Sequence, residues 1–236
     1  MPAGPRRRRH AAVSRARVFE VDPSRPEASP EAVEAAAAAL RKGALVVLPT
    51  ETVYGIAARP DDPDATARLF AAKQRSASLS LPVLARDAKR AWALGTRTDD
   101  ADALARAFWP GPLTLVVERT TKSARWALGD RPRTIGLRVP DHQLAQALLG
   151  RAGPFAATSA NLSGRAPLSG RDELVAAFGD LVAVYLVTPP GSAGPSGLPS
   201  TVIDLTASTP AVSREGGVPT AAILRVVSNR DRGRTL

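Results

Sequence analysis

Cysteine is absent from the 236-residue chain, which excludes disulfides, thiolate catalysis and a Cys-ligated zinc site. Histidine occurs only as His10 and His142, too few for a His-Glu-x-x-His centre, and neither has a sequence partner that suggests a catalytic triad. The Gly-x-x-x-x-Gly-Lys phosphate loop and the Gly-x-Gly-x-x-Gly dinucleotide fingerprint are missing too. Aromatic residues make up 4% of the chain, so Ala, Val and Leu must supply most of the packing. No apolar run approaches the ~18 residues of a membrane span. The basic start, Arg6–Arg9, is followed by Ser14, Arg15, Arg17 and Glu20 in place of the apolar core of a signal peptide. These absences set the expectation of a cytoplasmic location with no membrane partner.

What is present begins with charge. The net charge is +10, of which residues 1–17 contribute +6 and residues 230–236 contribute +2. The body is therefore close to neutral, and the basic ends are either solvated tails or arms that touch RNA. We read residues 1–29 as a largely disordered basic arm, 30–227 as one folded domain, and 228–236 as a basic tail.

Within the domain, helices and strands alternate. Ser29-Pro30-Glu31 opens an Ala-rich helix that stops at Gly43, and Ala44–Leu48 is an apolar strand delivering Thr50 to an edge. Asp62-Pro63 starts a helix that ends at Lys73, and Thr98 caps another through Phe108. Asp141 is placed as the cap of a helix reaching Leu149, and Arg171–Phe178 is helical before Gly179. Strands are expected at Leu81–Ala85, Leu113–Glu118, Thr134–Val139, Pro154–Thr158, Val182–Val187 and Thr201–Leu205. The Gly-, Pro- and Ser-rich segment Thr188–Ser200 reads as an insertion or a mobile lid. The class is mixed α/β with one open sheet covered by helices.

Small polar and cationic residues recur at strand ends. Lys73-Gln74-Arg75 leaves a helix, where two cations either converge on a polyanion or cap the last carbonyls. Alternation along Ile135–Val139 places Arg138 on the face of Thr134 and Gly136, away from Ile135 and Leu137, so it is either solvent-facing or paired in a cavity. Thr158-Ser159-Ala160-Asn161 either caps a turn or binds phosphate oxygens. Ser200-Thr201 and Ser213-Arg214-Glu215-Gly216 repeat this placement. No metal-ligand set is legible.

Taken in order, Pro49–Gly55, Lys73-Gln74-Arg75, Phe108–Thr114, Leu137–His142, Ser159–Gly164, Pro199–Thr206 and Arg214-Glu215-Gly216 resemble the YrdC-like domain of threonylcarbamoyl-AMP synthases. The resemblance covers roughly residues 30–217 and is to the short, single-domain type. It implies a twisted mixed sheet around a concave basic cavity. The implied reaction joins L-threonine, bicarbonate and ATP into threonylcarbamoyl-AMP and pyrophosphate, with Mg2+ held mainly by the ATP phosphates. A transferase machinery passes the threonylcarbamoyl group to tRNA. The same resemblance implies that Lys73 and Arg75 grip phosphates as the catalytic cations, that Thr134, Ser159, Asn161 and Arg214 line the nucleotide side, and that Thr50, Arg138 and Ser200 hold threonine. Ser76–Pro82 and Val187–Gly191 depart from the family pattern. The competing readings are a module binding tRNA or double-stranded RNA and a paralogue making a related carbamoyl adenylate.

Overall fold

Ten short strands form one mixed sheet whose spatial order threads back and forth through the sequence. In this computed structural model residues 15–233 are described, apart from Arg75 and Ala77, with no side-chain description from residue 229 onward. The strands are β1 (Arg17–Glu20), β2 (Leu45–Leu48), β3 (Gly55–Ala58), β4 (Val83–Leu84), β5 (Leu113–Glu118), β6 (Thr134–Arg138), β7 (Phe155–Ser159), β8 (Val182–Val187), β9 (Thr201–Asp204) and β10 (Ala211–Arg214). Their order is β1-β8-β2-β3-β7-β4-β6-β5-β9-β10. The helices are α1 (Pro30–Arg41), α2 (Pro63–Ala72), α3 (Ala88–Trp92), α4 (Asp99–Phe108), α5 (Gln143–Ala152), α6 (Arg171–Phe178) and α7 (Thr220–Gly233).

Two apolar clusters lie on opposite faces, as strand alternation requires. On β2, Leu45 and Val47 join one cluster while Val46 and Leu48 join the other. The first cluster runs across the sheet through Ile56, Val83, Leu115, Leu137 and Ile203 and takes Leu69 and Leu104 from α2 and α4. The second is smaller: α1 and α5 lay Val33, Leu40, Leu144 and Leu148 on Val46, Leu48, Phe155 and Val184. Each fully buried Leu or Phe contributes about 1.5–3 kcal/mol. The second cluster stops at Leu84 and Ala157, so the same sheet face over β5, β6 and β9 is left without a helical cover.

Several expectations are corrected here. The boundary at residue 29 falls inside the fold, because β1 pairs in parallel with β8 and Arg17 meets Val184. Its sequence, Arg17-Val18-Phe19-Glu20, sets two apolar residues between two charges and is too short and unpatterned to stand out. Residues 1–14 lie outside the described part. The boundary at 228 likewise falls inside α7. The cap of α5 is His142, whose Nδ1 accepts the Ala145 N–H at 3.4 Å, and not Asp141. Ser29 occupies the cap position of α1, but its side chain makes no capping hydrogen bond. Strands β3 and β10 and helix α3 carry little apolar periodicity, and pairing with neighbouring strands is what makes β3 and β10 strands.

The segment 188–200 is tied down on the turn between β2 and β3. Ser196 and Gly197 donate their N–H groups to the carbonyls of Glu51 and Thr52 at 3.1 and 2.8 Å. At the other end the Thr188 N–H donates to the Tyr54 hydroxyl at 3.0 Å.

Candidate functional site

The uncovered half of the sheet face is the floor of a cavity of about 500 Å³. Because alternation sends Leu115, Ile135 and Leu137 into the core behind, the floor receives Thr114 and Val116 from β5, Thr134, Gly136 and Arg138 from β6, and Val202 from β9. Gly136 matters here for lack of a side chain, since a Cβ would come within 3.3 Å of the Thr114 methyl and 3.4 Å of Pro82.

Arg138 is 7% exposed and anchored at one edge. Its Nε donates to the Gly111 carbonyl at 3.2 Å and its Nη2 to Thr52 Oγ1 at 3.0 Å. Glu51 Oε1 stands 2.6 Å from the same Nη2, an ion pair without the alignment of a hydrogen bond. Among the described residues the hydrogen bonds of this guanidinium come from Nε and Nη2, and the residue lines the cavity. Thr52 is held in turn by Thr50, whose hydroxyl is 2.8 Å from Thr52 Oγ1 and donates to the Val53 carbonyl at 2.7 Å. His142 lies within electrostatic reach of Glu51 and Arg138, and burial holds its imidazole below the ordinary value against the pull of Glu51 and Asp141.

Arg214 enters from β10 and repeats the arrangement. Its Nε and Nη2 donate to the Ser200 carbonyl at 3.0 and 2.7 Å, and Nη2 also reaches Ser200 Oγ at 3.1 Å. Burial, and then the nearby Arg138, push its guanidinium below the ordinary value. Ser200 Oγ shares a 2.9 Å hydrogen bond with Thr114 Oγ1. The fully buried Thr201 hydroxyl locks the neighbouring chain by accepting the N–H groups of Gly216 and Val218 at 2.8 and 3.1 Å. Gly216 lies so close to this strand that a Cβ would sit 2.1 Å from the Pro199 oxygen.

The opposite wall is the turn after β7. Lys73, at the end of α2 and 1% exposed, donates from Nζ to the carbonyls of Ser159 and Asn161 at 2.5 and 2.6 Å and to Asn161 Oδ1 at 2.9 Å. Ser159 Oγ donates to the same Oδ1 at 2.5 Å, while the Asn161 amide NH2 donates to the Leu162 carbonyl at 3.0 Å and to the Arg165 carbonyl. The Lys73 ammonium thus lies behind the cavity wall as the brace of this turn. Its charge reaches the cavity through Ser159 and Asn161.

Seven of the nine residues expected from the sequence line this one cavity: Thr50, Thr134, Arg138, Ser159, Asn161, Ser200 and Arg214. Lys73 sits behind the lining, and Arg75 lies outside the described residues. The departing segment also contributes, since Ser78 through Pro82 form part of the wall. Thr52, Thr114, Glu51 and Arg131 were not anticipated. Arg131 lines the rim and pairs with Asp204 at 3.4 Å. Thr114 was within reach of the alternation that placed Arg138, whereas Thr52 and Glu51 meet Arg138 only through a contact spanning 86 or more residues.

The hydroxyls, the Asn161 amide and the guanidiniums of Arg138 and Arg214 form a donor set for carboxylate and phosphate oxygens. Among the described residues no group of three or more His, Cys, Asp or Glu gathers as metal ligands.

The chain matches the Sua5/YciO/YrdC family, described as telomere recombination, over residues 38–216. A Mycobacterium tuberculosis protein named putative threonylcarbamoyl-AMP synthase is 42% identical over 205 residues, covering 86% of this chain and 92% of its own length. The threonylcarbamoyl-AMP synthase of Pyrococcus abyssi is 36% identical over 198 residues, covering 83% of this chain and 57% of its own. Among solved structures, P. abyssi Sua5 complexed with L-threonine superposes with a TM-score of 0.73 at 30% identity, covering 90% of this chain and 60% of that one. E. coli YciO gives 0.76 at 28% identity, covering 86% and 97%.

Proposed function

The chain belongs to the Sua5/YciO/YrdC family, and from that premise we propose that it is an ATP-dependent L-threonylcarbamoyladenylate synthase acting in tRNA modification. Curated relatives carry the name of that activity, and a similar solved structure holds L-threonine. The observation that carries the reading is the convergence of two anchored guanidiniums and the Ser159–Asn161 turn on one cavity.

In the reaction, the threonine amine and bicarbonate form a carbamate with loss of water. A carbamate oxygen then bonds to the α-phosphorus of ATP while the bond to the bridging α–β oxygen breaks, and pyrophosphate leaves with that electron pair. The carbamate is already an anionic nucleophile, so no Ser, Cys or His nucleophile is required. Alignment and stabilisation of charge on phosphate are the remaining demands.

In our assignment Arg138 takes the threonine carboxylate through Nη1, with Thr50 and Ser200 shaping that end. Ser159, Asn161, Thr134 and Arg214 face the nucleotide. Lys73 acts by bracing Ser159 and Asn161, and Arg75 is proposed as the second phosphate cation. Magnesium held by the ATP phosphates would neutralise charge there. A soluble, cytoplasmic enzyme that hands its product to a tRNA-directed transferase completes the proposal, in keeping with the lack of any membrane-spanning helix among the described residues.

The test is pyrophosphate release by purified protein given threonine, bicarbonate, magnesium and ATP, with each left out in turn. Release requiring all four is expected. Threonine-independent release, or none, rejects the assignment.

A further inference from the structure

Glu51 takes no part in the scheme above, yet its carboxylate is held beside the most buried guanidinium of the cavity. Both of its oxygens are sealed from solvent, and neither makes a hydrogen bond among the described residues. Among the described residues its one ion pair is with Arg138, 2.6 Å away. Leaving a carboxylate so poorly hydrogen-bonded in the interior opposes folding, so its persistence calls for a reason.

The backbone that carries this carboxylate is itself held in place, and the ion pair to Arg138 holds the side chain. The Glu51 carbonyl accepts the Ser196 N–H at 3.1 Å, and the Thr52 carbonyl accepts the Gly197 N–H at 2.8 Å, so the 188–200 segment clamps the backbone on both residues. The neighbouring Thr52 side chain is fixed from both sides by Thr50 and Arg138. Of the neighbouring titratable groups, His142 is held below its ordinary value by burial, and Arg214 lies within electrostatic reach of Arg138.

A ligand entering the cavity thus meets a guanidinium with a fixed negative charge behind it. To a bare anion the attraction of Arg138 is partly cancelled. A zwitterion pays no such penalty, because its ammonium is attracted by Glu51 while its carboxylate meets Nη1. Charges a few ångströms apart in a poorly screened cavity interact strongly enough to discriminate between the two. We propose that Glu51 is a specificity-determining residue, selecting an α-amino acid zwitterion over a carboxylate or inorganic anion of similar size. It acts through Arg138 and the field in the cavity, without touching the substrate. The inference rests on the assignment of Arg138 to the threonine carboxylate.

The experiment is calorimetric titration of the full chain with L-threonine and with 3-hydroxybutyrate, which is threonine without its amine. The wild-type chain is expected to bind threonine at least tenfold more tightly, and Glu51→Gln to compress that ratio by about tenfold through stronger binding of 3-hydroxybutyrate. Glu51→Asp, which keeps the charge, is expected to retain most of the selectivity. An unchanged ratio in Glu51→Gln, with threonine still bound, overturns the role of Glu51 alone. Equal affinities in the wild-type chain overturn it as well, whether or not Glu51→Gln folds. Absence of threonine binding to the wild-type chain removes the synthase reading and this inference with it.

Discussion

One sheet face serves two purposes, and the contrast lies in what covers it. Over β2, β3, β7 and β8 the face is roofed by α1 and α5 and filled with Val, Leu, Ala and Phe155. Over β5, β6 and β9 no helix among the described residues covers it, and the positions in phase with those core residues are Thr114, Thr134, Gly136 and Arg138. The strands are similar in length and pairing. The missing roof is what turns a core surface into a floor, because residues that would be intolerable under a helix can there keep contact with water or a ligand. The lesson is that stability and ligand recognition are segregated along the sheet, with β7 as the seam: Phe155 belongs to the core and Ser159 to the cavity.

That segregation predicts mutants of opposite character. The largest effect is expected from Phe155→Ala on the roofed half, which should lower unfolding free energy by about 3–5 kcal/mol. Denaturant titration measures this, and residual folded enzyme should keep its threonine KM. A large KM change would mean that the halves are coupled. On the open half, Arg138→Lys keeps the charge but loses the anchored fork. It should reduce kcat/KM for threonine by about a hundredfold, or 2–3 kcal/mol, with the KM for ATP changed much less. Steady-state kinetics with each substrate varied separate these outcomes.

Thr114→Val sharpens the comparison further, since it places an apolar roof-type residue on the floor at nearly constant volume. Ser200 loses its hydroxyl partner, and we expect a threonine KM raised about three- to tenfold at an unchanged melting temperature. Restoration by Thr114→Ser would tie the effect to the hydroxyl.

The smallest effect is expected at the junction of the halves, where His142 caps α5. Burial depresses its folded pKa, so protonation favours the unfolded chain. The stability it supports is therefore present above the unfolded value of about 6.5 and lost as pH falls through the depressed folded value. Thermal melts between about pH 7.5 and 5.5 should reveal a loss of at most about 1 kcal/mol. His142→Asn, a capping residue that does not titrate, should remove that part of the pH dependence.

Much of this arrangement was written locally. Alternation within Ile135–Val139 gave the face of Arg138, and the caps at Asp62 and Thr98 accept the N–H groups of Asp64, Ala65 and Ala101 as their sequences indicate. Lys73 shows the limit. A cation at a helix end next to a polar motif reads as a phosphate ligand or as a cap, and the fold adds that it donates to Ser159 and Asn161 across the wall. The segment 188–200 was equally ambiguous, because Gly, Pro and Ser specify freedom from regular structure without specifying what the backbone then binds.

The sequence by itself determined most of the longer helices and strands, the face of Arg138 and the set of hydroxyl, amide and guanidinium groups, because these follow from local periodicity and side-chain chemistry. Tertiary structure alone decided which half of the sheet stays open and that Glu51, Thr52 and Gly111 would meet at Arg138. Those outcomes depend on the order in which strands pair and on contacts between residues far apart in the chain, and local pattern carries no record of either.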